Sequence, residues 1–177
     1  MFSMFICTLT PDNDVTFTTL KRDNEIIVRV AIGYDSTSSE VISLFCVLSP
    51  LIGYSDIPGY ELVFNLLRST QDGNEISAYW DGEETKAFLT DGDERRRVRA
   101  LLIAVVGSLL DETNANLVSM TTHTPNLPPK ALEKFYSICA IFRDKGFTAG
   151  KADVWHGQHI WMMKRQEEPG VNAERPS

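Results

Sequence analysis

Four arginines close together near the middle of the chain are the residues best suited to binding an anion: Arg95, Arg96, Arg97 and Arg99. They fall in the first turns of a predicted helix, where free backbone N–H groups also favour a phosphate. The other interpretation is that neighbouring acids neutralise the arginines locally, with Arg95 one helical turn from Asp91. The sequence leaves both interpretations open.

The histidines form a second group of candidates. His156 and His159 follow Asp153 closely, and His123 precedes the last predicted helix. A His-x-x-His pair near an aspartate is part of a zinc-binding pattern, but no cysteine or fourth ligand is spaced to complete it, so we expect no metal. The alternative is a hairpin turn around Gly157 that carries two surface histidines. His156 could also act as a general base, because an imidazole pKa of about 6.5 suits that task.

Aromatic residues and one loop are the remaining candidates. Tyr79, Trp80, Trp155 and Trp161 could line an apolar pocket for an acyl or aromatic ligand, although aromatic residues on strands more often pack in the core. The segment Thr122–Pro129 joins the end of a predicted strand to the start of a helix. Such loops bind ligands in open α/β sheets, and its prolines could equally serve only to stiffen the start of the helix.

The elements that position these residues are clearest in the last third of the chain. A buried strand is predicted over Leu117–Thr122, an amphipathic helix over Pro128–Lys145, and a strand pair that ends in His159–Arg165. A second helix is predicted over Asp93–Leu110, with Asp91 or Asp93 as its cap. This helix is apolar nearly all round, so we expect it to pack against a sheet.

The first half of the chain is less regular. We expect three strands in a meander: Val15–Leu20, Glu25–Ile32 and Val41–Leu48. The alternative to the third strand is a helix that starts at Ser39. Next, the apolar positions predict a short helix over Tyr60–Ser69. The Asp81-Gly82 pair then predicts a hairpin between Ile76–Trp80 and Thr85–Leu89.

Composition limits the class of protein. A chain of 177 residues predicts one domain, here 1–165, followed by a disordered tail over 166–177. The net charge of −7 argues against nucleic acid as a partner and is compatible with a basic protein partner. No apolar run approaches the length of a membrane span, and the start lacks a signal peptide's basic leader. With three widely spaced cysteines, we expect a cytoplasmic protein with reduced thiols.

The order of the elements and two short motifs resemble the GNAT superfamily of N-acetyltransferases. Arg95-Arg96-Arg97-Val98-Arg99-Ala100 is similar to that family's phosphate loop, Arg/Gln-x-x-Gly-x-Gly/Ala, with valine at the middle glycine position. Phe142–Phe147 is similar to the end of the family's later helix, and His159–Arg165 looks like its last strand. The resemblance covers roughly residues 75–165.

This resemblance implies a GNAT-like fold with acetyl-CoA as the cofactor. The cofactor's pyrophosphate would lie on Arg95, Arg96, Arg97, Val98, Arg99 and Ala100. The amine would enter near Thr122–Asn126. Because Phe142 stands where the family often has a tyrosine that serves as general acid, the groups expected to carry protons are Tyr136, His123 and His156.

We therefore expect a single α+β domain whose mixed, mostly antiparallel sheet is flanked by two long helices. The leading expectation is an acyl-CoA-dependent N-acyltransferase with a degenerate cofactor loop, acting on a small-molecule amine. The alternative is a non-catalytic acidic binding protein, such as an inhibitor or immunity-type partner of another protein. Val98 and Phe142 favour the binding protein, whereas the basic helix start favours the enzyme.

Overall fold

A computed structural model of the chain describes residues 4–12, 15–51, 59–78 and 83–167. Its strands are β1 (Phe5–Cys7), β2 (Thr19–Arg22), β3 (Glu25–Asp35), β4 (Val41–Pro50), β5 (Gly59–Ser69), β6 (Glu75–Ala78), β7 (Leu117–Thr121), β8 (Phe147–Lys151) and β9 (Ile160–Arg165). Its helices are α1 (Glu83–Phe88), α2 (Gly92–Asp111) and α3 (Glu133–Asp144). Most of the predicted tail, 168–177, lies outside the described residues.

The described strands form one sheet in the order β1-β3-β4-β5-β7-β9-β8, with β2 paired to β3 and β6 paired to β5. Among these pairings β5–β7 is parallel, and the others are antiparallel. The parallel pairing is short, since it joins Gly59–Glu61 to Leu117–Ser119 and goes no further. The expected α+β class with a mixed, mostly antiparallel sheet is confirmed.

Alternating apolar residues explain the central strands. In β3, Val28 and Ile32 face the core, and in β4, Ile42, Cys46 and Leu48 do the same. The predicted meander is therefore confirmed, although β2 begins at Thr19 rather than at residue 15. The alternative helix from Ser39 is wrong, because Ser39 has a positive φ of 59° and precedes β4.

The predicted short helix over Tyr60–Ser69 is wrong, because this segment is strand β5. It pairs with β4 along its whole length, from Tyr60 opposite Pro50 to Ser69 opposite Val41. Its apolar residues fit a helical period and a strand period about equally well. Burial between neighbouring strands decides in favour of the strand, with Leu62 and Leu66 facing the core.

The predicted hairpin around Asp81-Gly82 is wrong in its second half, because Glu83–Phe88 is helix α1. Residues 79–82 lie outside the described residues. The hairpin that forms instead joins β5 to β6 and pairs Ser69 with Glu75. Its turn contains the other Asp-Gly pair of this region, in which Gly73 has a φ of 79° that favours glycine.

The helices differ from each other in length. The 20 residues of α2 agree with the prediction, and backbone N–H groups of Asp93 and Glu94 donate to the Asp91 carboxylate at 2.7 and 3.0 Å. Helix α3 has 12 residues and follows a single 3-10 turn over Pro129–Leu132. Pro128 is extended there and proline lacks a backbone donor, which delays the helix. The expectation of two long helices is therefore wrong.

The core lies between the sheet and the two larger helices. Leu109 of α2 and Ile138 of α3 are fully buried against strand residues such as Val118. All three cysteines are unpaired, and burial raises the pKa of the Cys46 and Cys139 thiols. No helix among the described residues is long and apolar enough to cross a membrane.

We expect the Leu109→Ala substitution to lower the free energy of unfolding by about 2–5 kcal/mol, because the side chain is fully buried and its loss leaves a cavity. Urea unfolding followed by circular dichroism measures this change. The matched control is Leu20→Ala, whose side chain is 59% exposed and should cost less than about 0.5 kcal/mol. Equal losses in both variants would contradict the described core.

Candidate functional site

Among the described residues, one edge of β5 is paired at both ends and unpaired in the middle. On this edge β5 pairs with β7 through Gly59–Glu61 and with β6 through Leu66–Ser69. Among the described residues, no strand pairs with residues 62–65 on that side. We call this segment the strand gap. Within the described ranges, the backbone groups of this segment on that edge have no strand partner, whereas such groups in the centre of a sheet are normally paired.

Aromatic side chains from three elements meet beside the strand gap. The Phe64 ring of β5 lies 5.7 Å from Phe135 of α3, which stacks on Trp161 of β9 at 4.9 Å. The Tyr136 ring meets Trp161 edge-on at 6.0 Å, and the His159 ring lies 6.1 Å from it. We call these five residues the aromatic cluster. It connects the two halves of the sheet where β5 and β7 have stopped pairing.

Three buried side-chain polar atoms in the described part of the chain have no hydrogen-bond partner: Asn65 Oδ1, His159 Nδ1 and Trp161 Nε1. Asn65 lies in the strand gap, and the other two belong to the aromatic cluster. An unsatisfied buried polar atom costs about 1–3 kcal/mol, so such atoms are uncommon in a folded protein. Asn65 follows Phe64 on β5, so its side chain points to the face of the sheet opposite the aromatic cluster. The other two atoms lie together in the aromatic cluster and mark it as the candidate site.

The electrostatics of the aromatic cluster are set by lysines. Lys134 Nζ lies 5.5 Å from the Phe64 ring centre and 5.1 Å from that of Phe135. Lys151 Nζ lies 5.8 Å from the ring centre of Trp161. Burial lowers the pKa of His159 from 6.5, and the charge of Lys151 lowers it further. The imidazole is therefore neutral at pH 7 and can accept a proton.

The structure separates the predicted proton carriers. Tyr136 belongs to the aromatic cluster and is 49% exposed. His123 is exposed on the loop after β7, and His156 is exposed at a turn with a φ of 48°, where its ring meets Trp155. The sequence had suggested His159 only as half of a zinc pair. His159 lies two residues before Trp161, and alternate residues of a strand share a face. This spacing would have placed His159 on the inner face of the sheet, together with the buried Trp161.

Two loops border the site and are held together. The Asn126 N–H donates to the Gly157 carbonyl at 2.8 Å, and Gln158 Nε2 donates to the His123 carbonyl at 3.2 Å. The Thr122 hydroxyl accepts the His159 N–H at 3.0 Å. The expected turn around Gly157 is present, closed by the bridge between Trp155 and Gln158. Within the described ranges, no group of three or more His, Cys, Asp or Glu side chains could hold a metal ion.

The arginine cluster at the start of α2 is bonded within the protein. Arg95 donates to the carbonyls of Leu89 and Thr90 at 2.6 and 2.7 Å. Arg97 donates to the Leu9 carbonyl at 2.6 Å. These bonds fix the start of α2 to the segments on either side. The guanidinium groups therefore have a structural role that does not require a bound phosphate.

The other members of the predicted phosphate loop also have local partners. Arg96 pairs with Asp93, and Arg99 donates to the Ser137 hydroxyl and to the Glu133 carbonyl on α3. Val98 is buried and Ala100 is half-buried. Arg99 thus links the arginine cluster to the turn of α3 that carries Phe135 and Tyr136. The two candidate regions are neighbours.

A polar groove of about 530 Å³ lies elsewhere, where α2 and α3 end. It is lined by Leu110, Asp111, Thr113, Asn114, Asn116, Lys145 and Arg165. Lys145 pairs with Asp111, and Arg165 Nε donates to the Ala115 carbonyl at 3.0 Å. Because its charged groups are already paired, this groove is a weaker candidate than the strand gap.

The lowered pKa of His159 predicts a dependence of stability on pH. Below about pH 6.5 the unfolded chain binds more protons at this residue than the folded chain does, so stability falls as the pH drops through this range to the folded pKa. The His159→Gln substitution should remove that contribution. Nuclear magnetic resonance titration of the imidazole signals measures the pKa directly, with His156→Gln as a control that keeps the His159 signal. Titration of His159 at or above pH 6.5 would contradict the described burial.

Comparisons with known proteins identify no relative of this chain. No family model matches it, and neither a curated protein nor a solved structure does. The basis for assigning a function is therefore the geometry of the strand gap, the aromatic cluster and the arginine cluster.

Proposed function

We propose that the chain binds an acyl-CoA thioester at the strand gap and transfers the acyl group to an amine, as its resemblance to the GNAT superfamily implies. The observation that carries this proposal is the pair of unpartnered buried polar atoms in the aromatic cluster beside the strand gap, His159 Nδ1 and Trp161 Nε1. The strand order, with its single short parallel pairing among the described strands, supports a GNAT-like fold.

The residues at the strand gap suit acyl transfer. A thioester supplies a carbonyl carbon that an amine can attack, with the sulfur as leaving group. Backbone N–H groups of residues 62–65 that point into the gap can donate to the carbonyl oxygen, where negative charge develops. The flat faces of Phe64 and Phe135 can exclude water from the reacting atoms.

Two groups of the aromatic cluster can move the protons that the transfer requires. The imidazole of His159, neutral at pH 7, takes the proton that the amine loses. The hydroxyl of Tyr136, a half-exposed residue, gives the proton that the departing sulfur gains. His123 and His156, exposed on the bordering loops, are the other groups proposed for proton exchange with solvent.

The start of α2 fits the cofactor less completely. Two of its backbone N–H groups already donate to Asp91, which occupies the place of an anion. Arg96 is the member best able to contact the pyrophosphate, because it pairs only locally with Asp93 and its side chain is 78% exposed. Arg95, Arg97 and Arg99 would position the pyrophosphate.

The three unpaired cysteines support a cytoplasmic location for the protein.

A second function is favoured by the internal bonds of the arginine cluster. If Arg95, Arg97 and Arg99 serve only to connect segments of the protein, the chain needs no cofactor. The alternative is then a non-catalytic acidic binding protein, an inhibitor or immunity-type partner. Its net charge of −7 would select a basic partner protein.

Excess acetyl-CoA should raise the midpoint of thermal unfolding if the chain binds it. At 100 times its dissociation constant a ligand adds about 2.7 kcal/mol, and a chain of this size gains roughly 2–4 °C per kcal/mol. The Arg96→Ala variant should show a smaller shift because it loses a phosphate contact. Arg22→Ala is the matched control, since Arg22 is also highly exposed and likewise forms an ion pair with a nearby residue, Asp23. No shift in the wild-type chain would favour the binding protein.

Substitutions at the proton carriers test the transfer step. We expect His159→Gln to lower kcat by about 10²–10⁴-fold, the usual contribution of a positioned general base, and Tyr136→Phe to lower it less. Release of the free thiol from acetyl-CoA with a panel of amines measures the rate. Lys164→Gln, which changes an exposed side chain of β9 outside the aromatic cluster, should retain most of the activity. Equal activity in all three variants would remove His159 and Tyr136 from the mechanism.

A further inference from the structure

The charge beside the aromatic cluster has the opposite sign to that of the whole chain. The protein carries a net charge of −7, yet the ammonium groups of Lys134 and Lys151 lie over the rings of the cluster. The acidic neighbour Glu133 lies 3.9 Å from the Arg99 guanidinium and is partly neutralised by it. The positive charge of Lys151, which lies over the Trp161 ring, favours an anionic ligand over a polycation at this point of the cluster.

The unpartnered Trp161 N–H adds a geometric requirement. An indole nitrogen can only donate, so the partner it lacks must be an acceptor. The side chain is 1% exposed, which makes an unused donor there unfavourable. Lys151 Nζ lies over the same ring at 5.8 Å and brings a positive charge to the same place. A carboxylate supplies both the acceptor atoms and the negative charge.

We infer that the aromatic cluster is a binding subsite for a small carboxylate with an apolar or aromatic body. Trp161 Nε1 donates to the carboxylate, Lys151 balances its charge, and the half-exposed Tyr136 ring contacts the body. Under the proposed function, on which this role rests, the ligand is the acyl acceptor. The acceptor is then an amine that also bears a carboxylate, an α-amino acid with an apolar or aromatic side chain, rather than a polyamine or a lysine-rich protein.

Access to this subsite requires two exposed side chains to move. Tyr136 is half-exposed and meets Trp161 with its ring edge, and Lys151 is exposed on the edge strand β8. Both can change rotamer without disturbing the core, whereas Phe135 and Trp161 are fixed by their stacking. The ligand therefore enters from the outer side of the cluster, past Lys151.

Isothermal titration calorimetry without any acyl-CoA tests the inference with three matched compounds. L-Phenylalanine and 3-phenylpropionate carry the carboxylate, and phenethylamine has the same aromatic body and amine without it. We expect the two carboxylates to bind and phenethylamine to bind at least about tenfold more weakly, the effect of losing one charged hydrogen bond. Equal binding of all three, or no binding of either carboxylate at a Kd below about 1 mM, overturns the inference.

Variants locate the binding and separate this inference from the proposed function. Trp161→Phe keeps a ring and removes the N–H, and Lys151→Gln removes an exposed charge without risk to the core; each should weaken carboxylate binding by about five- to tenfold. Lys164→Gln is the control, since Lys164 is also an exposed lysine on a strand and lies in β9 three residues beyond Trp161. Unchanged binding in Lys151→Gln overturns the inference. Carboxylate binding without any stabilisation by acetyl-CoA supports the subsite and rejects acyl transfer.

Discussion

Three parallel residue pairs hold the two halves of the described sheet together. On one side, β3, β4 and β5 form an antiparallel block, and on the other, β7, β9 and β8 form a second. The blocks meet only through Gly59–Glu61 and Leu117–Ser119 in the described part of the chain. Because so few backbone bonds join them, helix packing also connects the blocks: α2 packs on β3 and β4, α3 packs on β8, and the two helices contact each other. The strand gap exists because this pairing stops early, and the aromatic cluster bridges the two blocks in its place.

Part of this fold follows from local sequence. The α2 boundaries are set by Asp91 and the apolar run after it, and the strands β3 and β4 follow from their β-branched alternation. Strand β5 could not be predicted, because its apolar residues fit both a helical period and a strand period. Its pairing with the neighbouring strands is what makes it a strand. Two Asp-Gly pairs competed for the same hairpin, and only the pair at Gly73 has two strands beside it. These choices depend on pairing partners far away in sequence, which local patterns do not record.

The candidate site was less predictable than the fold. The arginine cluster was visible in sequence, but its partners include the Leu9 carbonyl, which is distant along the chain. The aromatic cluster draws Phe64, Phe135 and Trp161 from three separate segments, so no spacing relates them. His159 was visible as a residue, yet its inaccessible Nδ1 and its lowered pKa arise only from its neighbours in space. Residue types can be read from sequence, whereas burial and missing partners require the assembled sheet.

The contact between Gly157 and Asn126 limits how this protein can vary over time. A Cβ atom at position 157 would lie 2.6 Å from Asn126 Oδ1, and the φ of 79° already excludes most side chains. The distance between the tip of the β8–β9 hairpin and the loop after β7 is therefore fixed by this contact. Length changes in either segment are not neutral unless the other changes as well. A side chain at position 157 would therefore require the loop that carries Asn126 and Pro125 to move with it, so the shape of one loop constrains the shape of the other.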